Sequence, residues 1–135
     1  MKQILHTITV KTTEKETFIP ITTNVQNILK ESKIKDGIAI VYTPHTTAGI
    51  TLNENADPDV LNDLTYAYKK TFPNDSNFLH GEGNSDAHLK SSLTGVSETL
   101  IISNTKLLLG VWQGLYFCEF DGPRKRKVYI KILGD

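Results

Sequence analysis

The sequence predicts an α+β fold, with helices packed against a mostly antiparallel sheet in one domain spanning residues 1–135. Three observations carry this prediction. The 135 residues suit a single domain that can bury a core. Helical periodicity is confined to the first two thirds of the chain, and the last third contains only strand patterns. Segregation of helices from a closing run of strands is typical of α+β folds.

The first third of the chain predicts a strand, a helix and a second strand. Apolar residues of ILHTITV (4–10) alternate with period two, which indicates a strand. The segment TNVQNILKES (23–32) predicts a helix, with Thr23 and Gln26 as a capping box and Val25, Ile28 and Leu29 as its apolar stripe. IAIVYT (38–43) is short and β-branched, as expected of a buried strand.

The middle third predicts a strand followed by two helices. GITLNEN (49–55) alternates like a strand after Pro44 interrupts the chain. Asp57 is placed to cap a helix whose first residue is Pro58, and this helix has a stripe made by Val60, Leu61, Leu64 and Tyr68. SDAHLKSSLTG (85–95) predicts a short helix that ends at a glycine.

The last third predicts four strands, which are ETLIIS, KLLLG, VWQGLYFCEF and KVYIKIL. Turn residues separate them at Asn104 and at Asp121-Gly122-Pro123, and the second turn suggests a tight hairpin. These strands offer more apolar surface than two short helices cover. Part of ETLIIS and VWQGLYFCEF is therefore expected to pack against another subunit.

Composition narrows the class of protein. Fifteen basic and fifteen acidic residues give a formal net charge of zero, which argues against a general nucleic-acid binder. A single cysteine, Cys118, excludes a disulfide within the chain and suits a reducing compartment. No apolar run approaches the length of a signal peptide or a membrane span. We expect a soluble, cytoplasmic protein with no membrane partner.

Three of the four histidines fall at the ends of predicted segments, where binding sites are commonly built. His45, His80 and His88 could together hold zinc and leave one position open for water or substrate. Their spacing matches no local zinc motif, so a purely structural role for each is the alternative.

HGEGNSDAH (80–88) is a glycine-rich loop that leads into a helix. Unpaired backbone N–H groups and the helix dipole at such a junction favour an anion. The alternative is a plain flexible turn, with Asn84 or Ser85 capping the helix.

HTTAGITLNENAD (45–57) gathers one imidazole, two carboxylates and several hydroxyls and amides. Capping explains Asp57, but it does not explain His45, Thr46 and Thr47 at the other end of the strand. Only one of Asn53 and Glu54 is expected to face any pocket, because neighbouring strand residues point to opposite faces.

Glu119 alternates onto the apolar face of its strand, where a carboxylate needs a partner. Arg124 or Arg126 from the next strand could supply that partner as a structural pair. The alternatives are that Glu119 is a catalytic acid and that the basic run RKRK (124–127) is a solvated turn or a phosphate clamp.

Three separated motifs resemble the YjbQ-like family, described as secondary thiamine-phosphate synthases. They are HTTAGITLNEN, HGEGNSDAHLKSSLTG and LGVWQGLYFCEFDGPRKRKV, and the resemblance extends over about residues 4 to 133. It implies a barrel-like sheet, a homotrimer and a site drawn from the matching positions. These positions are His45, Asn53, Glu54, Asp57, His80, Asn84, His88, Trp112, Gln113, Glu119 and Arg124.

The resemblance implies an enzyme that joins a pyrimidine pyrophosphate to a thiazole phosphate. On this hypothesis His45, His80 and His88 bind a divalent metal, zinc or magnesium. His45, Glu54, Asp57 and Glu119 serve catalysis, and a small phosphorylated metabolite contacts Thr46, Asn53, Gly83, Asn84, Ser85, Gln113 and Arg124. A metal-dependent hydrolase of a phosphorylated metabolite and a non-catalytic metal- or metabolite-binding trimer are the alternatives.

Overall fold

The computed structural model describes residues 1–135 as three helices and eight strands. The strands are β1 (Lys2–Lys11), β2 (Thr17–Pro20), β3 (Gly37–Tyr42), β4 (Ala48–Glu54), β5 (Ser97–Ser103), β6 (Lys106–Leu107), β7 (Gln113–Glu119) and β8 (Lys125–Gly134). The helices are α1 (Thr22–Ser32), α2 (Pro58–Thr71) and α3 (Ser85–Thr94). The predicted strands and helices all form, and the structure adds β2, which is short and lacks a clear alternation.

Two antiparallel sheets face each other across the core. The larger has the strand order β1-β8-β3-β5-β6, and the smaller has the order β2-β7-β4. Val128, Ile130 and Ile132 of β8 meet Leu115 and Phe117 of β7 in one apolar cluster. The predicted α+β class, with a mostly antiparallel, barrel-like sheet, is confirmed.

The helices cover different parts of this frame. Helix α1 buries Val25, Ile28 and Leu29, as predicted. Its predicted capping box is wrong, because Ile21 is the N-cap and Gln26 instead bonds the backbone of the β5–β6 connection and β6. Asp57 does cap α2 by accepting a hydrogen bond from the Asp59 N–H.

Helices α2 and α3 lie on the outer face of the smaller sheet. Ala87 of α3 packs with Cys118 and Phe120, and Tyr68 of α2 borders this small cluster. The predicted stripe of α2 is only half-buried, since no residue of that helix is fully enclosed. Burial raises the pKa of the Cys118 thiol, so this cysteine stays protonated and unreactive.

The predicted hairpin at Asp121-Gly122-Pro123 is wrong. Strands β7 and β8 belong to different sheets, so the turn carries the chain from one sheet to the other. The Gly122–Pro123 peptide bond is cis, and a Cβ at Gly122 would lie 2.2 Å from the Glu14 carbonyl oxygen. Only glycine fits this close approach of two backbones.

The prediction that VWQGLYFCEF offers free apolar surface is also wrong for most of its length. Strand β7 lies between β2 and β4, and its residues from Leu115 to Glu119 are buried within the chain. Within the two predicted segments, exposed apolar side chains remain only at Val111 and Trp112, which precede β7, and at Ile101 of β5. The packing of this surface against another subunit stays a prediction. None of the helices is long and apolar enough to cross a membrane.

Candidate functional site

A polar cleft of about 400 Å³ opens where three loops meet above one end of the two sheets. Apart from Pro44, all of its lining residues are polar or charged. They are Pro44, His45, Thr46, Thr47, His80, Glu82, Asn84, His88, Arg124 and Arg126. A second hollow of about 540 Å³ adjoins it, and Pro44, His45, Thr46 and His88 line both.

The lining residues are positioned by the ends of strands and by the first turn of a helix. The segment 44–47 joins β3 to β4, and 80–84 leads into the first turn of α3. Arg124 immediately precedes β8 and Arg126 is its second residue, just after the chain crosses between the sheets. Two of the three motifs singled out in the sequence therefore meet the end of the third at one place.

A buried ion pair forms the floor of the cleft. Arg126 pairs with Glu119, and the exposed fractions of the two side chains are 4% and 0%. Arg126 also donates to the Thr47 hydroxyl at 2.8 Å, and the Thr12 hydroxyl donates to Glu119 at 2.6 Å. Burial favours a higher pKa for Glu119, but hydrogen bonds from Arg126 and Thr12 outweigh it and lower the pKa.

A second, more exposed pair stands at the rim. Arg124 donates through Nη2 to Asp121 Oδ2 at 2.8 Å and through Nε to the Asp121 carbonyl at 2.8 Å. Asn84 Nδ2 donates to the same Oδ2 atom, also at 2.8 Å. Burial favours a higher pKa for Asp121, but these two partners outweigh it and hold the pKa below its ordinary value.

His45 is held as a neutral imidazole. Its Nε2 accepts a hydrogen bond from the Lys127 backbone N–H at 2.9 Å, which requires that nitrogen to be unprotonated. Burial and then the Arg126 guanidinium lower the pKa of His45, against the opposing charge of Glu119. The proton of the neutral ring is therefore on Nδ1, which forms no bond within the chain.

The predicted three-histidine metal site is not assembled. His45, His80 and His88 do line the same cleft, and the rings of His80 and His88 lie 5.4 Å apart in a T-shaped arrangement. No three histidine, cysteine or acidic side chains come close enough to share a metal ion. Neither ring nitrogen of His45 offers a free lone pair to a metal, because Nε2 accepts from the Lys127 N–H and Nδ1 carries the proton. The residues present do not fit a zinc or magnesium centre.

Four predicted site residues lie at the far end of strand β4. The strand's seven residues separate Asn53 and Glu54 from the cleft by roughly 20 Å. There, Asn53 and Glu54 accept hydrogen bonds from nearby backbone N–H groups, and Asp57 caps α2. Gln113, which pairs with Glu54 in register, accepts a hydrogen bond from Gly110. Their predicted place in one site with His45 is wrong within this chain.

The glycine-rich loop offers fewer free anion-binding groups than its sequence predicted. Gly83 donates its N–H to the His80 carbonyl in a tight turn, so that group is not free for an anion. Gly83 and Ser85 flank Asn84 without lining the cleft. Asn84 is the N-cap residue of α3, but its side chain makes no capping bond. Glu119, predicted as a catalytic acid, is the buried partner of Arg126.

Arg126 was missing from the predicted site, although its sequence position carried a usable signal. It has the same parity in β8 as Val128, Ile130 and Ile132, which face the core. An arginine on a core-facing position demands a buried acceptor. Glu119 occupies the matching inward position in β7 and is the partner of Arg126. Position 124 has the same parity, but Arg124 precedes β8 and lies outside the core.

Fold and site together define a class: a small protein of two antiparallel sheets with a polar histidine- and arginine-lined cleft at one end. The sequence profile of the UPF0047 protein YjbQ-like family matches residues 6–135. The chain belongs to this YjbQ-like family, as the three motifs predicted.

Relatives span almost the whole chain. UPF0047 protein MJ1081 of Methanocaldococcus jannaschii is 56% identical over 93% of this chain and 91% of its own length. UPF0047 protein YugU of Bacillus subtilis is 50% identical over 97% of this chain and 100% of its own. A crystal structure of a family protein from Clostridium acetobutylicum superposes with a TM-score of 0.93, at 53% identity, over 95% of this chain and 99% of that one.

A more distant structure has the same fold. A protein from Sulfolobus solfataricus, 30% identical, superposes with a TM-score of 0.95 over 99% of both chains, and it is described as a YbjQ-like protein of unknown function. The predicted function as a thiamine-phosphate synthase-type enzyme is wrong on these findings. The relatives are named only as UPF0047 proteins, and the expected metal site does not form.

Proposed function

We propose that the cleft binds a small metabolite through an oxyanion, a phosphate or carboxylate group. The observation that carries this proposal is the lining: two arginines and three histidines converge, and Pro44 is the only apolar side chain among the lining residues. Guanidinium and imidazole N–H groups are the donors that proteins use for phosphate and carboxylate oxygens.

Free donors remain after the internal pairing is counted. Arg124 uses Nε and Nη2 on Asp121, and Arg126 uses Nε and Nη2 on Glu119 and Thr47. The Nη1 group of each arginine forms no bond within the chain. The Nδ1–H of His45 is a third such donor. Two of these donors come from residues 124–126 and the third comes from the β3–β4 connection. Three such donors suit a group with several oxygens, which favours phosphate over carboxylate.

Charge sets a limit on the strength of binding. Glu119 and Asp121 neutralise the two arginines from behind, and Glu82 adds a carboxylate to the lining. The cleft therefore offers directed hydrogen bonds more than a strong positive field. We expect binding to depend on geometry and to be only moderately sensitive to salt.

The adjoining hollow gives room for the rest of the ligand. It contains Tyr42 and Val96 beside hydroxyl groups of Thr43 and Ser91. A ligand with its acidic group between the arginines would extend past His45 into this hollow. The shape suits a molecule larger than a bare ion.

We propose that the chain is an enzyme and that His45 is its catalytic residue. A neutral imidazole that donates through Nδ1 stabilises negative charge developing on a substrate oxygen. A His45→Asn variant should retain ligand binding within a few-fold while turnover falls at least about tenfold. The assay would follow small phosphorylated metabolites and matched carboxylates by proton and phosphorus NMR. Equal turnover by both proteins would contradict this role.

The binding proposal is tested by calorimetry with inorganic phosphate. Arg124→Ala should weaken phosphate binding by about tenfold, because it removes one charged donor. Lys125→Ala is the matched control, since Lys125 is an exposed neighbour that does not line the cleft. Equal affinity of Arg124→Ala and the unaltered chain, both verified as folded, would overturn the proposal.

The homotrimer implied by the family resemblance is proposed as the assembly. One face of the larger sheet carries Leu5, Ile40, Tyr42 and Tyr129 around a shallow apolar hollow, and Leu5 is 64% exposed. Such a patch is common at subunit contacts. Sedimentation at micromolar concentration should give three times the chain mass, whereas a monomer would contradict this assembly. A cytoplasmic location is proposed with it, in keeping with the single cysteine.

A further inference from the structure

The side chain of Asn84 holds a hydrogen-bond acceptor that nothing in the chain satisfies. Its Oδ1 atom is shielded from solvent and has no partner. Asn84 is the N-cap of α3, where an asparagine normally accepts from the first turn of the helix, yet it makes no capping bond. The residue lines the cleft beside Arg124.

The orientation of this amide is fixed by its neighbour. The other end, Nδ2, donates to Asp121 Oδ2 at 2.8 Å. The ion pair with Arg124 and the lowered pKa of Asp121 keep that carboxylate ionised, so it can only accept. A flipped amide would place two acceptors against each other. Oδ1 is therefore turned away from Asp121 as an acceptor in need of a donor.

The unpaired acceptor lies close to the anion donors. Asn84 Nδ2 and Arg124 Nη2 bond the same oxygen atom of Asp121, so the two nitrogens lie within two hydrogen-bond lengths of each other. A ligand that engages both residues must present an acidic oxygen and a donor only a few bonds apart. Gly81 and Gly83, at which an added Cβ would meet nothing within 4 Å, leave the adjacent loop room to adjust.

We infer that the anion bound in this cleft carries a hydroxyl group on or beside its acidic group, and that Asn84 accepts a hydrogen bond from that hydroxyl. The inference rests on the proposed oxyanion site and specifies its ligand class. Two sources supply this chemistry: the P–OH of a protonated phosphate, and an alcohol next to a carboxylate or phosphate. Fully ionised sulfate and simple carboxylates lack it.

The test uses two matched pairs of probes near pH 7, measured by calorimetry on the intact chain. Inorganic phosphate carries a P–OH and sulfate does not, and glycolate differs from acetate by one hydroxyl. The chain should favour the hydroxyl-bearing member of at least one pair by about tenfold, the range of a single buried hydrogen bond. A preference in the first pair alone assigns the P–OH, and one in the second pair assigns a neighbouring alcohol.

Variants connect the preference to Asn84. Asn84→Leu removes the acceptor and should bring the affinity ratio close to one, whereas the control Lys125→Ala should keep the original ratio. Should Asn84→Leu fail to fold, Asp121→Asn serves instead. A neutral amide at position 121 no longer fixes the orientation of Asn84, so the ratio should fall.

The possible failures are distinguishable. Binding of the oxyanions with ratios near one, or an unchanged ratio in the folded variants, overturns the hydroxyl inference and leaves the oxyanion site standing. No binding of any of the four probes overturns both.

Discussion

Two arginines near the start of strand β8 each pair with a carboxylate, one in the core and the other at the surface. Arg126 and Glu119 are almost fully enclosed between the two sheets, with exposed fractions of 4% and 0%. Arg124 and Asp121, two residues away on the rim, are 51% and 17% exposed. The start of the strand is the cause. Positions 124 and 126 have the same parity, but only Arg126 lies within β8 and faces the core, whereas Arg124 lies in the connection just before the strand, at the surface.

The comparison separates structural from ligand-binding chemistry. The polar atoms of the enclosed pair bond mainly Thr12, Thr47 and each other, and only Nη1 of Arg126 is left without a partner in the chain. The rim pair shares its carboxylate with Asn84 and remains accessible to a ligand. A buried charge is costly when it loses its partner, whereas an exposed charge is solvated by water. The same substitution should therefore have different consequences at the two arginines.

The largest loss of stability is expected for Arg126→Ala. Removing the guanidinium leaves Glu119 buried without its counter-charge, which should lower the free energy of unfolding by roughly 3–5 kcal/mol. Urea denaturation followed by circular dichroism measures this. A loss of less than about 1 kcal/mol would mean that water reaches Glu119, and the contrast between the two pairs would fail.

Acid should lower the stability of the fold mainly by protonating Glu119 in the enclosed pair. The folded pKa of Glu119 lies below its ordinary value of 4.5, so its stabilising contribution is complete above that value. It is lost as the pH falls through the lower, folded pKa. Urea midpoints between about pH 2.5 and 6 should fall on the acid side. In Glu119→Gln this fall should be shallower, and an unchanged profile would exclude Glu119 as its cause.

Arg124→Ala should barely change stability. The rim pair is exposed enough that its loss should cost about 0–1 kcal/mol. The same variant weakens phosphate binding if the proposed site is correct, so stability and affinity separate at this residue. A loss of stability as large as that of Arg126→Ala would show that the rim arginine also has a structural role.

The smallest effect is expected for Arg124→Lys. Lysine keeps the positive charge but cannot contact both the carboxylate and the carbonyl of Asp121 as the arginine does. Stability should change by a few tenths of a kcal/mol at most. Phosphate affinity should fall by about two- to fivefold, between the unaltered chain and Arg124→Ala. Calorimetry on all three proteins in one buffer gives that order directly.

Some of this site could be predicted from local patterns. The sequence predicts His45, Thr46, His80, Asn84, His88 and Arg124 as site residues, and all of them line the cleft. The same motifs also predict Asn53, Glu54, Asp57 and Gln113, which lie far from the cleft. Proximity in sequence was misleading there, since a seven-residue strand carries its two ends roughly 20 Å apart.

The sequence by itself determined the α+β class, the three helices, the strands other than β2, and the family. Period-two and helical patterns are local, so they survive without knowledge of the fold. Tertiary structure alone decided that β7 and β8 lie in different sheets and that Arg126, not Arg124, meets Glu119. It also decided that Asn84 turns from capping its helix toward Asp121. These outcomes depend on which distant segments are brought together, and on a carboxylate 37 residues away that competes with a helix for one amide.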